Sequence, residues 1–250
     1  MRLSGFRALI NEKQPLKNGL DGVRPAIFST NVFGQNDYNV MFLNILALSL
    51  NSGRAGSSPI AANIPASSDE LGILKLSAVS KGRFKREENK ALREADDQEQ
   101  AFALRAGDVL ITRSNTPGLV ADVACVPVDE PTLLLPDLIY RLRVQEAKVL
   151  PEYLTYFLAT AAARVQIRRD ARGSSGSMVK VSQGHVLDWL TLLPPVSEQA
   201  EIVRHLQRAE ERLRSISRDV SSSLSLLSER RAALITAAVT GQIPLETMRA

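Results

Sequence analysis

The chain has 250 residues, a formal net charge of +4, two histidines and one cysteine. Its apolar fraction of 44% is enough to build a core, and the length allows one large domain or one domain with an appendage. The lone Cys125 excludes an intramolecular disulfide and a thiolate metal site, and the modest basic excess matters only where it is clustered.

Residues 1–14 mix Arg2, Arg7, Glu12 and Lys13 with scattered apolar side chains and do not read as a signal peptide. The most apolar stretch, residues 40–50, is far shorter than the roughly 20 residues of a membrane span. A soluble cytoplasmic protein is expected.

Residues 1–68 are poor in charge and rich in Asn, Ser and Gly, with a loop or linker at 51–59. Residues 40–50 read as a short buried helix or a strand, and periodicity does not choose between them. Residues 69–195 read as a mixed α and β domain. Strands are expected at 71–76, at 106–112 behind a Gly107-Asp108 turn, at 120–128 and at 138–144. Residues 81–100 are helix or loop. From Pro151 apolar residues recur at helical spacing to about Arg169, and the flexible run Gly173-Ser174-Ser175-Gly176-Ser177 follows. Cys125, within Val-Ala-Cys-Val, reads as a small buried hydrophobe.

Beyond Pro194-Pro195 no Pro or Gly occurs until Gly241, and Ser197 can cap. These are start and stop signals for one helix within 196–243, leaving a tail at 244–250. A helix of about 43 residues is a rod of roughly 65 Å. Its seam runs Ile202, Leu206, Ala209, Leu213, Ile216, Val220, Leu224, Leu227, Arg231, Leu234 and Ala238, in steps of four and three with one stutter. That is a heptad pattern, and it needs a second helix beside it. The sequence offers no other helix of similar length, so a coiled coil with another chain is favoured. The fold class is α+β: a globular mixed domain followed by one long coiled-coil-forming helix.

No catalytic or metal site is expected. Ser182, His185 and Asp188 carry the residue types of a hydrolytic triad but lie too close in sequence to converge as one. Residues 173–177 lack the Gly-Lys-Ser/Thr ending of a phosphate loop. Basic clusters stand out instead. Arg164, Arg168, Arg169 and Arg172 fall toward one side of a helix end, followed by Ser174, Ser175 and Lys180, types suited to phosphate contacts. Lys81, Arg83, Lys85 and Arg86 surround Phe84. Arg113, Ser114 and Asn115 form a third group, whose Arg and Asn types can read guanine and adenine edges. Asn115 can equally close the turn on its own backbone.

Two stretches carry a resemblance. Ala106-Gly-Asp-Val-Leu-Ile-Thr-Arg-Ser-Asn115 and Leu192-Leu-Pro-Pro-Val-Ser-Glu-Gln-Ala-Glu-Ile-Val203 resemble the specificity subunit of type I restriction-modification systems, and the likeness covers residues 70–243. It implies double-stranded DNA as a partner, read one half-site per recognition domain. It also implies a long helix that docks methyltransferase and restriction subunits, and no cofactor or catalysis of the subunit's own. The resemblance departs in two ways. The chain holds one recognition domain and one spacer helix. The opening strand region of the usual recognition domain is not recognisable in residues 1–68, which read as a divergent or altered start of that domain or as the mark of a truncated or rearranged product. Arg83, Lys85, Arg86, Arg113, Ser114, Asn115, Arg168, Arg169, Arg172, Ser174, Ser175 and Lys180 are the expected DNA contacts. Ile202, Leu206, Leu213, Ile216, Val220, Leu224, Leu227 and Leu234 are the expected interface, a homodimer included. The alternative is a coiled-coil assembly scaffold that no longer binds DNA.

Overall fold

The computed structural model describes residues 39–53, 64–92, 102–175 and 178–243. The signal-peptide reading of residues 1–14, most of the 51–59 loop, the end of the 81–100 segment, residues 176–177 and the 244–250 tail lie outside the described residues. Contacts divide the chain into two units, Met1–Glu201 and Ile202–Ala250.

The first unit opens with β1 (Asn39–Phe42), one helical turn α1 (Leu43–Leu46) and β2 (Ala47–Ser52). Residues 40–50 are therefore strand, helix and strand in succession. Leu43 and Leu46, three apart on that turn, are fully buried, which gives the stretch a helical spacing inside a strand-like run. Next come β3 (Gly72–Leu74), β4 (Val79–Ser80), β5 (Arg83–Phe84) and β6 (Asn89–Ala91). The described part of the 81–100 segment is thus strand and turn. Strands β4 and β5 form a hairpin in which Lys81 and Gly82 have φ of 52° and 77°. Positive φ at both central residues matches the twist of a two-residue hairpin. Gly82 adopts it freely, and Lys81 is held there by donating its N–H to Asp122 at 2.8 Å.

The chain continues through β7 (Ala103–Leu104), β8 (Val109–Thr112), β9 (Ser114–Asn115), β10 (Val123–Cys125), β11 (Glu130–Leu134) and β12 (Ile139–Val144). The expected strand at 120–128 contracts to β10, because the residues before it form a turn closed by Val120 N–H to Thr116 O at 2.8 Å. The single helix expected from Pro151 is two, α2 (Pro151–Ala159) and α3 (Ala161–Asp170). Thr160 between them has extended φ and ψ of −67° and 155°. Its hydroxyl donates to Phe157 O at 2.7 Å and accepts from Ala163 N at 3.3 Å, ending one helix and capping the next. Then follow β13 (Arg172–Ser175), β14 (Met178–Lys180), α4 (Gln183–Leu187), β15 (Leu190–Leu193) and α5 (Val196–Val239).

Two four-stranded sheets, β10-β8-β12-β2 and β6-β3-β11-β7, carry the core. Leu110, Ala124 and Ile139 of the first pack with Leu74, Leu104 and Leu133 of the second. Each fully buried Leu or Ile contributes about 1.5–3 kcal/mol. Strand β8 is buried at all four positions, as an inner strand of the first sheet must be. The edge strand β2 of that sheet and a separate two-stranded sheet, β1-β15, bear on the reading of residues 1–68. Strand β2 pairs with β12, and β1 pairs with β15, so residues 39–52 build the same unit as residues 69–195. Asp108 of the Gly-Asp signature is buried, accepting from Arg105 N at 2.9 Å and Arg143 Nε at 2.6 Å. A buried carboxylate survives only with such partners, so its role is to close the turn into β8.

Helix α5 is 44 residues long and starts directly after Pro194-Pro195, as the punctuation predicts. Within the first unit its opening turn is locked by Gln199, which is 0% exposed. The Gln199 carboxamide accepts from Leu150 N and donates to Lys148 O and Pro194 O, each at 2.9 Å. Among the described residues no helix is long and apolar enough to cross a membrane.

Candidate nucleic-acid interface

Basic residues from two of the three sequence segments meet on a small third sheet, β13-β14-β9, which carries Arg172 and Lys180 and has Arg113 directly before β9. Its register sets Arg172 opposite Lys180 and Lys180 opposite Ser114. Arg172 and Lys180 are both exposed. Like charges directly opposite each other destabilise a strand pair, so keeping both points to an anionic counterpart. The run expected to be flexible is strand here, at least through Ser175. Gly173 is needed because a Cβ at that position would collide with the Met178 carbonyl. Ser174 and Ser175 lie on β13, with their side chains outside the described residues.

The sheet has a firm base. Arg113 donates its N–H to Leu138 O at 2.8 Å and accepts from Val181 N at 3.0 Å. Tyr140 Oη donates to Val181 O at 3.1 Å, and burial pushes that phenol up from its ordinary value while the Arg113 charge opposes the shift. Asn115 Oδ1 accepts from Thr116 N at 2.8 Å, which is the turn-closing role weighed for it above. Ser114 corrects an expectation. It is 1% exposed, so its hydroxyl does not reach a surface that DNA could touch.

A turn formed by residues 116–122 joins this sheet to the other basic segments. Asp122 accepts from Lys81 N, tying the β4–β5 hairpin and its exposed Arg83 to the turn. Arg164 on α3 donates from Nη1 to Val120 O at 2.8 Å and Ala121 O at 3.1 Å, and from Nη2 to Gly118 O at 3.2 Å. The spacing that groups Arg164 with Arg168, Arg169 and Arg172 is misleading for this residue, because its guanidinium is spent on the protein backbone. Burial lowers its affinity for a proton, and nearby Asp122 counteracts this. Arg168 and Arg169 are exposed, but Arg169 forms a bidentate pair with Asp170 at 2.8 and 3.1 Å. Arg86 pairs with Glu130 at 2.9 Å. Lys85 is half-buried, its N–H bonded to Ala78 O. The third-sheet cations Arg172 and Lys180, with Arg113 beside them, are therefore the coherent group.

Ser182 and His185 form a capping box at the start of α4, each side chain accepting from the other's backbone N–H. Both groups therefore act in helix capping. Among the described residues no cluster of His, Cys, Asp and Glu could hold a metal ion. Burial pushes the Cys125 thiol up to about 12, which removes it as a nucleophile at neutral pH.

No family model matches the chain. It is 27% identical over 173 residues to the type I restriction enzyme EcoKI specificity subunit of Escherichia coli strain K12, covering 68% of this chain and 37% of that relative. The EcoEI specificity subunit of Escherichia coli is 23% identical over 154 residues, covering 61% of this chain and 26% of the relative. A solved chain of a type I restriction-modification assembly superposes with a TM-score of 0.54 at 19% identity, over 83% of this chain and 50% of that one. The specificity subunit from M. genitalium does so at 0.50 and 12% identity, over 74% and 42%. The chain is a relative of the type I specificity subunits. It spans a quarter to about two fifths of the curated subunits it matches, and half of the assembly's chain.

In this specificity-subunit relative the long helix keeps its apolar seam on the outside. Leu213 is 66% exposed and Leu224 62%, and Ile216, Val220, Leu227 and Leu234 are at least half exposed. Ile202 and Leu206 are intermediate.

Proposed function

We propose that the chain is a non-catalytic, sequence-reading subunit of a type I restriction-modification complex, working in the cytoplasm on double-stranded DNA. The first unit, built around residues 69–195 and completed by β1 and β2, reads one half-site. Helix α5 is the spacer along which methyltransferase and restriction subunits dock, and along which two copies can pair. The observation that carries the reading is the pairing of Arg172 with Lys180 beside Arg113 on one small sheet, in a chain with specificity-subunit relatives. Arg172 and Lys180 supply phosphate affinity, and Arg113 reads a base edge from a fixed strand end.

The function is tested by an electrophoretic shift on random-sequence duplexes, with and without a methyltransferase subunit, followed by selection of the retained sequences. Retention of a defined motif supports the reading. A chain that captures the methyltransferase subunit but no duplex is the assembly scaffold instead.

Two substitutions divide the labour. Arg172→Ala weakens binding to all duplexes alike and flattens the dependence of log K on log salt by about one unit. Arg113→Ala costs about 1–3 kcal/mol on the selected half-site and much less on unrelated DNA. Both are read in filter-binding titrations at several salt concentrations. A uniform loss for Arg113→Ala would reassign that residue to phosphate.

A further inference from the structure

The turn between β9 and β10 is held more firmly than a surface connection requires. Ala121 sits at a φ of 51°, a left-handed conformation that a residue with a Cβ adopts at a cost and keeps only when its surroundings enforce it. Three elements do so. Arg164 of α3 binds three of the turn's carbonyls. Thr112 of β8 holds it from below: its hydroxyl donates to Leu119 O at 3.1 Å and accepts from Asp122 N at 2.9 Å, and its carbonyl accepts from Ala121 N at 2.9 Å. Asp122 itself reaches across to Lys81 of the basic hairpin. What this bracing presents outward is Thr116, Pro117, Gly118 and Leu119, all exposed, a short uncharged tip between the hairpin and the Arg113–Asn115 segment. Long-range electrostatic attraction cannot be the purpose of an uncharged tip. Its rigidity has a use only if shape or close contact is being read.

We infer that residues 116–119 are a groove-reading tip for duplex DNA, and that Arg164 is its positioning residue, touching no nucleic acid itself. The inference rests on the DNA-reading function proposed above. It separates two jobs that a basic patch normally merges. Arg164 contributes to discrimination between sequences without contributing to phosphate neutralisation, because its guanidinium is turned inward onto carbonyls. A Lys in its place keeps the charge, but a single ammonium cannot reproduce the planar fork that spans three acceptors.

The test uses the full chain as wild type, Arg164→Lys and Arg164→Gln, each checked first for a cooperative melting transition. Each is presented with a library of random-sequence duplexes, and binding is followed through rounds of selection and across a salt series. Wild type should enrich a defined motif. Arg164→Lys should keep the salt slope of wild type, yet lose about tenfold in preference for that motif over bulk library. Backbone amide exchange at Val120 and Asp122 should accelerate in the same variant. Arg164→Gln should do the same if it folds, and Arg164→Lys carries the test if it does not. Unchanged preference in a folded Arg164→Lys overturns the positioning role. So does a uniform loss of affinity with a salt slope lower by about one in Arg164→Gln, which would make Arg164 a phosphate contact. A wild type that enriches no motif fails at the earlier step and removes the sequence-reading function itself.

Discussion

Replacing Gln199 by Leu is expected to destabilise the first unit by roughly 2–4 kcal/mol, because three backbone groups lose their partner at once, Pro194 O in a fully buried hydrogen bond. Leu150 N, Lys148 O and Pro194 O all meet this one carboxamide, and Gln199 itself is fully buried. Urea titration should show a lower midpoint at an unchanged slope. A change below about 1 kcal/mol would mean that the surrounding backbone relaxes to satisfy itself. Gln199→Glu adds a pH signature. A buried carboxyl has its pKa raised in the folded state, so the folded form holds the proton more tightly than the unfolded chain does. The variant is therefore least stable above its folded pKa and recovers as the pH falls toward the unfolded value of about 4.3.

The second large effect belongs to α5. The double change Leu213→Asp and Leu227→Asp should disperse any assembly formed along the seam. Each Leu buried there contributes about 1.5–3 kcal/mol, and both are at least 60% exposed in the single chain. Lost from both members of a pair, that burial weakens association by roughly a thousandfold or more. Sedimentation at micromolar concentration should show the wild type as an assembly and the variant as a monomer with its helical content retained. A wild type that sediments as a stable monomer without partners ends the homodimer version and leaves docking of other subunits as the use of the seam.

The contrast between these two sites marks what the sequence could disclose. The seam was legible because a heptad is a local repeat, and α5 was bounded by Pro194-Pro195 and Gly241, which act locally as well. The strand β8 was legible from a continuous apolar run behind a turn. Thr160 was not, although Thr is a common capping residue, because the apolar spacing continues across the break and period outweighs a single hydroxyl. Residues 40–50 resisted assignment for a sound reason, since they change conformation twice in a span shorter than one helical repeat test. At the candidate interface the residue types were visible and their employment was not. Arg164 and Arg168 differ by one turn of the same helix, yet one braces backbone carbonyls and the other is exposed. Ser114 reads as polar and lies inside. What sets Arg164 apart is the turn at Gly118, Val120 and Ala121, which is supplied by a chain segment remote in sequence. Asp122 and Gln199 were missed for the same reason: each joins elements tens of residues apart.

The pairing of β1 with β15 bears on how the chain acquires its structure in time. Asn39 lies opposite Leu193, and Ser52 lies opposite Tyr140. The earliest described strand, β1, therefore waits for the latest, β15, and β2 waits for β12. Contacts of such long sequence separation require closure of large loops before any of their stabilisation is returned, and folding slows accordingly. During synthesis β1 emerges with its hydrogen-bonding edge uncovered, and it stays so until nearly 150 further residues have followed, since Leu190 is its first partner. Unpaired strand edges invite association with other nascent chains. The interval between translation of β1 and of β15 is therefore when this protein is most exposed to aggregation, and when a chaperone that masks strand edges would have its largest effect on yield.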